Sequence, residues 1–261
     1  MAATVEELNI EAFDGLKVSK TDEEPEHNPN IEELDLSAWE GKNRFAIVVH
    51  NVFTPEECQA LIQRSEDQGY EAALVNIGGG RQIKMDDVRT SDRCIIDDPK
   101  FAEELWSRIR KTTNDDPRLL CPSWCPKSKK AGSQFRAVGL NERLRFLRYD
   151  KGNFFASHMD GAYFRNNEAG EERKGERSLV TCQLYLNEGF EGGATRFGYD
   201  DIGFDVVPKT GSVLLFEHQL THEGSLLIKG RKYAIRTDVM YTNKGEDLEY
   251  AVKPIVLQNQ N

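Results

Sequence analysis

From Leu140 onward the chain breaks into short apolar and β-branched runs separated by glycine turns, and this spacing constrains its fold more than any other feature. Eight runs stand out: Arg143–Tyr149, Phe154–His158, Ser178–Leu186, Thr195–Phe197, Phe204–Val207, Ser212–Glu217, Gly224–Ile228 and Tyr233–Tyr241. Runs this short, at this density of turns, predict a sandwich or barrel of strands. A jelly roll holds a small ligand between its two sheets and brings residues distant in sequence to one point. Ahead of this region, Arg44–His50 predicts a buried strand. Thr54-Pro-Glu-Glu57 then supplies an N-cap, a proline at the first helical position and a capping-box glutamate. The helix is expected to run to about Gly69, with Cys58, Leu61 and Ile62 as its apolar stripe. A strand over Ala72–Ile77 is expected to end in the triplet Gly78–Gly80. No Gly-Lys-Ser/Thr follows, so the triplet reads as a mobile loop and not a phosphate cradle. Asp97-Asp98-Pro99 caps a second helix with Phe101, Leu105, Trp106 and Ile109 on one face, and residues 112–134 read as a long surface loop. The fold class is therefore mainly β with flanking helices (α+β), with the jelly-roll core at about 140–243.

Charge divides the chain in two. Residues 1–40 carry 12 acidic and 2 basic residues, which accounts for the whole net charge of −10; residues 41–261 hold equal numbers of each sign. Low hydrophobicity and high charge predict an acidic, disordered arm over 1–40 and a single domain over 41–261. Ile31, Leu34, Leu36 and Trp39 are expected to pin the end of the arm to the domain. The neutral body offers no basic stripe, which argues against nucleic-acid binding. No apolar run approaches the roughly 20 residues of a membrane helix. The first residues lack a basic and apolar leader, so a cytoplasmic or nuclear location is expected. The five cysteines, Cys58, Cys94, Cys121, Cys125 and Cys182, are expected to be reduced packing or loop residues. A structural zinc at Cys121 and Cys125 would need a second ligand pair that is not there.

The chemistry centres on Arg148-Tyr-Asp-Lys-Gly-Asn-Phe-Phe-Ala-Ser-His-Met-Asp160. Read as one strand, its period of two places His158 and Asp160 on one face. A neutral imidazole and a carboxylate aimed into one cavity are two parts of a 2-His-1-carboxylate iron site, and His222 is the distant histidine that would complete it. Three ligands on one face leave positions for a chelating 2-oxo acid and for O2. The far carboxylate of that acid needs a cation in a buried pocket. Lys232, ten residues after His222 at the head of a strand, can supply it. Arg236, four residues on, faces the same side. His218 competes with His222 by spacing, but it follows a strand, and no glutamate occupies the place of a metalloprotease base. It is expected behind the ligands or in the core.

Several of these segments resemble one family. Tyr149-Asp-Lys-Gly152 followed by Phe155 and His158-Met-Asp160 is similar to the Tyr-x-x-Gly-x-x-Tyr/Phe-x-x-His-x-Asp signature of prolyl 4-hydroxylase-type 2-oxoglutarate/Fe(II) dioxygenases. Val88-Arg-Thr-Ser91, Thr181–Asn187, Gly192-Gly-Ala-Thr-Arg-Phe197 and Val207–Phe216 resemble further segments of the same domains, and the likeness spans about 43–241. It implies a double-stranded β-helix of cupin-like kind, with His158, Asp160 and His222 binding iron. Lys232 would pair with the distal carboxylate of 2-oxoglutarate. Tyr149 and Tyr185 would line its pocket, Tyr185 as a candidate hydroxyl donor, and Arg236 is grouped with them. Thr195, Arg145 and His218 would sit around the site, and Arg89 at the substrate mouth. For both tyrosines, ordinary core packing stays open. The implied activity is hydroxylation of a C–H bond on a prolyl or other residue of a protein or peptide, with Fe(II), 2-oxoglutarate and O2, release of succinate and CO2, and ascorbate as reductant. The chain departs from the family in a charged insertion over 161–177 and in the extra cation Arg236. Two alternatives stay open: a hydroxylase of a free amino acid or small metabolite, and a jelly-roll binding module without catalysis. Oligomeric state is not legible.

Overall fold

The computed structural model describes residues 30–38, 44–76, 81–122, 135–165, 173–199 and 202–243. The acidic arm falls outside them apart from residues 30–38, as do Trp39, the glycine triplet from Gly78, Cys125 and the middle of the charged insertion. In chain order the elements are β1 (Ile31–Glu33), β2 (Ala46–Val49), α1 (Pro55–Gln68), β3 (Glu71–Ala72), β4 (Val75–Asn76), β5 (Gln82–Ile83), β6 (Asp92–Asp97), α2 (Pro99–Thr113), α3 (Pro117–Leu120), β7 (Arg136–Leu140), β8 (Arg143–Asp150), β9 (Phe155–His158), β10 (Arg177–Tyr185), β11 (Glu191–Gly192), β12 (Thr195–Phe197), β13 (Phe204–Val206), β14 (Val213–Glu217), β15 (His222–Gly224), β16 (Leu227–Lys229) and β17 (Arg231–Thr242).

Two antiparallel sheets make the core. The large one runs β1-β2-β14-β10-β17-β8-β6-β3, with β7 also on β17; the small one runs β13-β12-β15-β9. Of the strands of the large sheet, β2 and β14 are buried on both faces and read as near-continuous apolar runs, whereas β6, β8, β10 and β17 interleave polar residues among the apolar ones. Ile47, Leu144, Phe146, Cys182, Leu184, Leu215 and Ile235 face the helices together with Cys58, Leu61, Phe101, Leu105 and Ile109. Ala46, Val48, Tyr185, Leu214, Phe216 and Ala234 face the other way and pack with Phe197 and Val206 of the small sheet. The space between the sheets is thus closed by apolar residues at one end, leaving the polar members of β8, β10 and β17 to line what remains.

Both long helices start where the sequence places them. Thr54 Oγ1 accepts from Glu57 N–H at 3.2 Å and Glu57 Oε2 accepts from Thr54 N–H at 2.8 Å, the reciprocal capping box. Gly69 ends α1 at φ 88°, donating back to Ser65 and Glu66 carbonyls. Asp98 caps α2 through Phe101 N–H at 2.9 Å. Cys58, Cys94 and Cys182 are buried in the core as packing residues, and burial pushes the Cys58 thiol up to about 12. Three boundaries differ from the sequence reading. The expected strand Ala72–Ile77 is two short pieces, β3 and β4, in different sheets. The surface loop expected from 112 opens with the one-turn α3, capped by Asp116. The expected strand Gly224–Ile228 is divided between β15, in the small sheet, and β16, which pairs with β11.

Candidate active site

The small sheet sets the first three residues. His158 ends β9 and His222 begins β15, and the two are register partners. The stretch from Arg148 to Asp160 is not one strand: β8 and β9 are separated by a turn at Lys151 and Gly152, and Asp160 lies beyond β9. Its N–H donates to the His218 carbonyl at 2.9 Å, which brings its side chain back to the two imidazoles. His158 Nε2 is 3.8 Å from Asp160 Oδ1 and His222 Nε2 is 3.7 Å from Oδ2. One donor atom from each of the three residues falls within 4.8 Å of the others.

Protonation follows from the partners behind the rings. His158 Nδ1 lies 2.8 Å from the Ala156 carbonyl and His222 Nδ1 lies 2.9 Å from the Leu220 carbonyl. Only a protonated Nδ1 can donate there, so both Nε2 lone pairs are free and point at Asp160. Burial, then the other histidine, pulls the His158 imidazole down to about 4, and burial lowers His222 as well. Burial alone would raise the Asp160 carboxyl, but the Arg236 guanidinium together with His222, His218 and His158 outweighs this and holds it well below the usual carboxylate range. Two neutral imidazole nitrogens and one carboxylate at this spacing suit a divalent transition metal with open coordination positions on the cleft side.

Polar side chains of β10 and β17 hold Asp160 in turn. Thr181 donates to Asp160 Oδ2 at 2.5 Å and lies 2.9 Å from His218 Nδ1. Because the hydroxyl donates to the carboxylate, His218 Nδ1 donates to it, and His218 Nε2 accepts from Ser178 at 2.7 Å. His218 is therefore a buried support for the candidate ligand and not a ligand itself. Arg236 Nη2 contacts Asp160 Oδ1 and Asp238 Oδ1, each at 3.1 Å. Thr181, Asp238 and Gln183 were not singled out in the sequence. The signal was available, since period two from Tyr185 marks Gln183 and Thr181, and from Lys232 it marks Asp238.

A cleft opens in front of these groups, lined among others by Arg89, Arg145, Tyr149, Phe155, Gln183, Thr195, Glu223, Lys232 and Arg236. Lys232 stands at one end, register partner of Tyr149. It is buried, donates to the Gly193 carbonyl at 2.6 Å, and faces the rings of Tyr149 and Tyr185 at 5.2 and 5.6 Å. It has no carboxylate partner among the described residues, and burial pulls its ammonium down to about 7. Gly192 and Gly193 make this approach possible. Both have positive φ, and a Cβ at Gly193 would sit 2.7 Å from Leu227 Cδ1. The Tyr185 hydroxyl donates to Thr195 Oγ1 at 2.8 Å, as Gln183 does at 3.1 Å. Arg236 lines the cleft but is engaged by Asp160 and Asp238. Arg89 lies over the Phe155 ring at 4.5 Å, and that ring stacks on His158 at 3.6 Å. Of the charged insertion, Arg165 is turned inward onto Glu142 and Glu176, away from a surface role.

Residues 144–237 match the model of the 2OG-Fe(II) oxygenase superfamily. Probable prolyl 4-hydroxylase 8 of Arabidopsis thaliana is 26% identical over 229 residues, covering 77% of this chain and 69% of that protein. Prolyl 4-hydroxylase 1 of the same plant is 24% identical over 208 residues, covering 72% and 66%. Among solved structures, a Pseudomonas putida prolyl-4-hydroxylase superposes with a TM-score of 0.48 at 20% identity, covering 77% of this chain and 94% of that one. The family match and the plant relatives bear out the kinship expected from the motifs, and they support an enzyme of the dioxygenase class.

Proposed function

From this kinship with the 2OG-Fe(II) oxygenases, we propose that the chain is a 2-oxoglutarate- and Fe(II)-dependent dioxygenase that hydroxylates a C–H bond of a prolyl or other residue in a protein or peptide, releasing succinate and CO2. The observation that carries the reading is the convergence of His158, Asp160 and His222, with both imidazoles fixed as neutral Nε2 donors. In this reading they hold Fe(II), which with 2-oxoglutarate and O2 supplies the oxidising chemistry. Lys232 takes the distal carboxylate of 2-oxoglutarate, replacing a lone carbonyl contact with a charge-assisted bond in a buried setting. Tyr149 and Tyr185 wall its methylenes, and Thr195 closes that end. Thr181 and Arg236 fix the orientation of the Asp160 carboxylate from behind. Phe155 and the sheet faces exclude water from the reacting end. Residues 41–261 act as one domain, and ascorbate serves as reductant. None of the described helices is long and apolar enough to cross a membrane; we place the protein in the cytoplasm or nucleus.

The test is conversion of 2-oxoglutarate to succinate under Fe(II) and ascorbate, for the wild type and His158→Ala, with and without prolyl peptides. Wild-type turnover that is stimulated by a peptide, adds one oxygen atom to it and is lost in the variant supports the reading. Failure of the metal-loaded wild type to bind 2-oxoglutarate refutes it.

A further inference from the structure

Beyond the residues assigned above to metal and co-substrate, the cleft holds two more cations. Arg145 on β8 lies directly opposite Arg236 on β17, both on the inward face. Like charges in such a pair repel. Among the described residues Asp238 alone bridges them, through Oδ1 to Arg236 at 3.1 Å and Oδ2 to Arg145 at 3.3 Å. Arg89 reaches the same end of the cleft over Phe155; its Nε donates to Ser91 at 2.8 Å, and its terminal nitrogens find no acceptor among the described residues. The Nε of Arg236 is buried with no partner.

The charges do not cancel. With Lys232 protonated, as it is opposite a carboxylate, Arg89, Arg145, Lys232 and Arg236 stand against Asp160, Asp238 and Glu223, so the cleft and the carboxylate beneath it carry one surplus positive charge. A divalent metal and a doubly charged 2-oxo diacid add nothing to that balance. The carboxylates are also already engaged: Asp160 by Thr181 and Arg236, Asp238 by both arginines, and Glu223 by the Ser225 hydroxyl at 3.1 Å. Burial pulls the Arg89 and Arg145 guanidinium groups below their usual range, whereas Asp160 and Asp238 overcome the burial of Arg236 and raise it. Charged groups held in a cleft without sufficient compensation are costly unless a ligand completes them.

Resting on the oxygenase reading above, we propose that the substrate carries a carboxylate beside its reacting C–H bond, and that Arg145 and Arg89 receive it at the metal end of the cleft. The planar guanidinium fork suits a carboxylate in two parallel hydrogen bonds. Lys232 does not compete for it. Its backbone position lies four residues, or about 13 Å, along β17 from that of Arg236, and its ammonium is held at the Gly193 carbonyl. Such a carboxylate belongs either to a free acid or to a peptide, at its C-terminus or on a side chain next to the target.

The experiment titrates the Mn(II)-loaded 261-residue chain, first with 2-oxoglutarate and then with matched probes that differ only in the carboxylate. These are L-proline and L-prolinamide, acetyl-Ala-Ala-Pro as acid and amide, and prolyl peptides with glutamate or glutamine flanking the proline. At least one acid is expected to bind at least about tenfold tighter than its amide or glutamine counterpart, as a hydrogen bond to a charged group implies. The probe that binds tells free acid from peptide. Arg145→Gln is expected to reduce that preference to less than about threefold without weakening 2-oxoglutarate, and Arg145→Lys to restore part of it. Arg89→Gln serves as the second variant if Arg145→Gln does not fold. Equal binding of acid and neutral partner, no binding of any acid, or a preference untouched in both glutamine variants overturns the proposal. Failure of 2-oxoglutarate itself to bind overturns the oxygenase reading instead, and the two outcomes are separate steps of one titration.

Discussion

Replacing Lys232 with methionine is expected to stabilise the ligand-free protein while abolishing 2-oxoglutarate binding. Lys232 is 3% exposed, and its ammonium faces one carbonyl and two aromatic rings. Burial lowers it from 10.5 to about 7. At about 1.36 kcal/mol per pKa unit, carrying that charge below neutrality costs the folded state about 5 kcal/mol. The sign follows from proton counting. Between about 7 and 10.5 the unfolded lysine is protonated and the folded one is not, so stability rises with pH across that window and is fully reduced below it. Methionine removes the cost but leaves the Gly193 carbonyl without its donor, a loss of about 1–3 kcal/mol. The net gain at pH 7 is therefore about 2–4 kcal/mol, worth roughly 5–15 °C in a chain of this size. Urea melts of wild type and variant at pH 7 and pH 10 read this directly, with the gap falling by about 3–4 kcal/mol and so closing or reversing at the higher pH. A variant less stable than wild type at pH 7, or a gap indifferent to pH, refutes the electrostatic account of Lys232. The same linkage makes 2-oxoglutarate binding take up a proton above pH 7, so its affinity is expected to weaken as pH rises from there.

Thr181→Val removes the hydroxyl that links Asp160 to His218 with little change of shape. Metal affinity, read by competition with a chelating dye, is expected to fall about 10–100-fold while all three donor residues stay in place. Gly193→Ala forces a side chain into a position at φ 67° that already meets Leu227. A loss of about 1–3 kcal/mol in denaturant melts is expected, together with weaker 2-oxoglutarate binding as the carbonyl that orients Lys232 shifts. Thr54→Ala breaks the capping box of α1, far from the cleft, and is expected to cost about 1 kcal/mol with 2-oxoglutarate affinity unchanged by calorimetry.

What the sequence made legible follows the periods of its side chains. The helix starts were readable because Thr54 with Glu57, and Asp98 with Pro99, act within one turn. Most core strands were readable as short apolar and β-branched runs between glycine turns, β2 and β14 most plainly because burial on both faces leaves them almost without polar residues. The Gly224–Ile228 run misled because nothing in its composition says that Ser225 and Leu226 cross to the β11–Gly193 turn, where their backbone groups pair with Ala194 and Gly193. Reading Arg148–Asp160 as one strand put Asp160 in the right place for the wrong reason. Its position comes from a backbone hydrogen bond to His218, a contact 58 residues away that no local pattern encodes. Period two marks the supports behind the candidate ligands as inward-facing, but what each of them pairs with was not legible, for the same cause. Thr181 pairs with Asp238 and Gln183 with Arg236 only through the register of β10 on β17, which is a property of the assembled sheet.

That register also explains why one strand can serve both ends of the cleft. On its inward face β17 presents Lys232, Ala234, Arg236 and Asp238 in turn. Across the sheet, Lys232 meets Tyr149, Ala234 meets Leu147 and Tyr185, and Arg236 meets Arg145 and Gln183. The cation at one end is therefore surrounded by rings and the cations at the other by carboxylates, with a small apolar residue between them. A long side chain at position 234 would block the cleft between the two cationic groups. Their surroundings differ: burial alone shifts Lys232, whereas Asp160 and Asp238 raise Arg236 against its burial. An anion entering the cleft thus meets two different environments. At Lys232 a lone, desolvated ammonium gains most from a single carboxylate with an apolar tail behind it. At Arg145 and Arg89 an anion must lie beside carboxylates already in place, which favours a group small and planar enough to use the remaining donors without displacing Asp160.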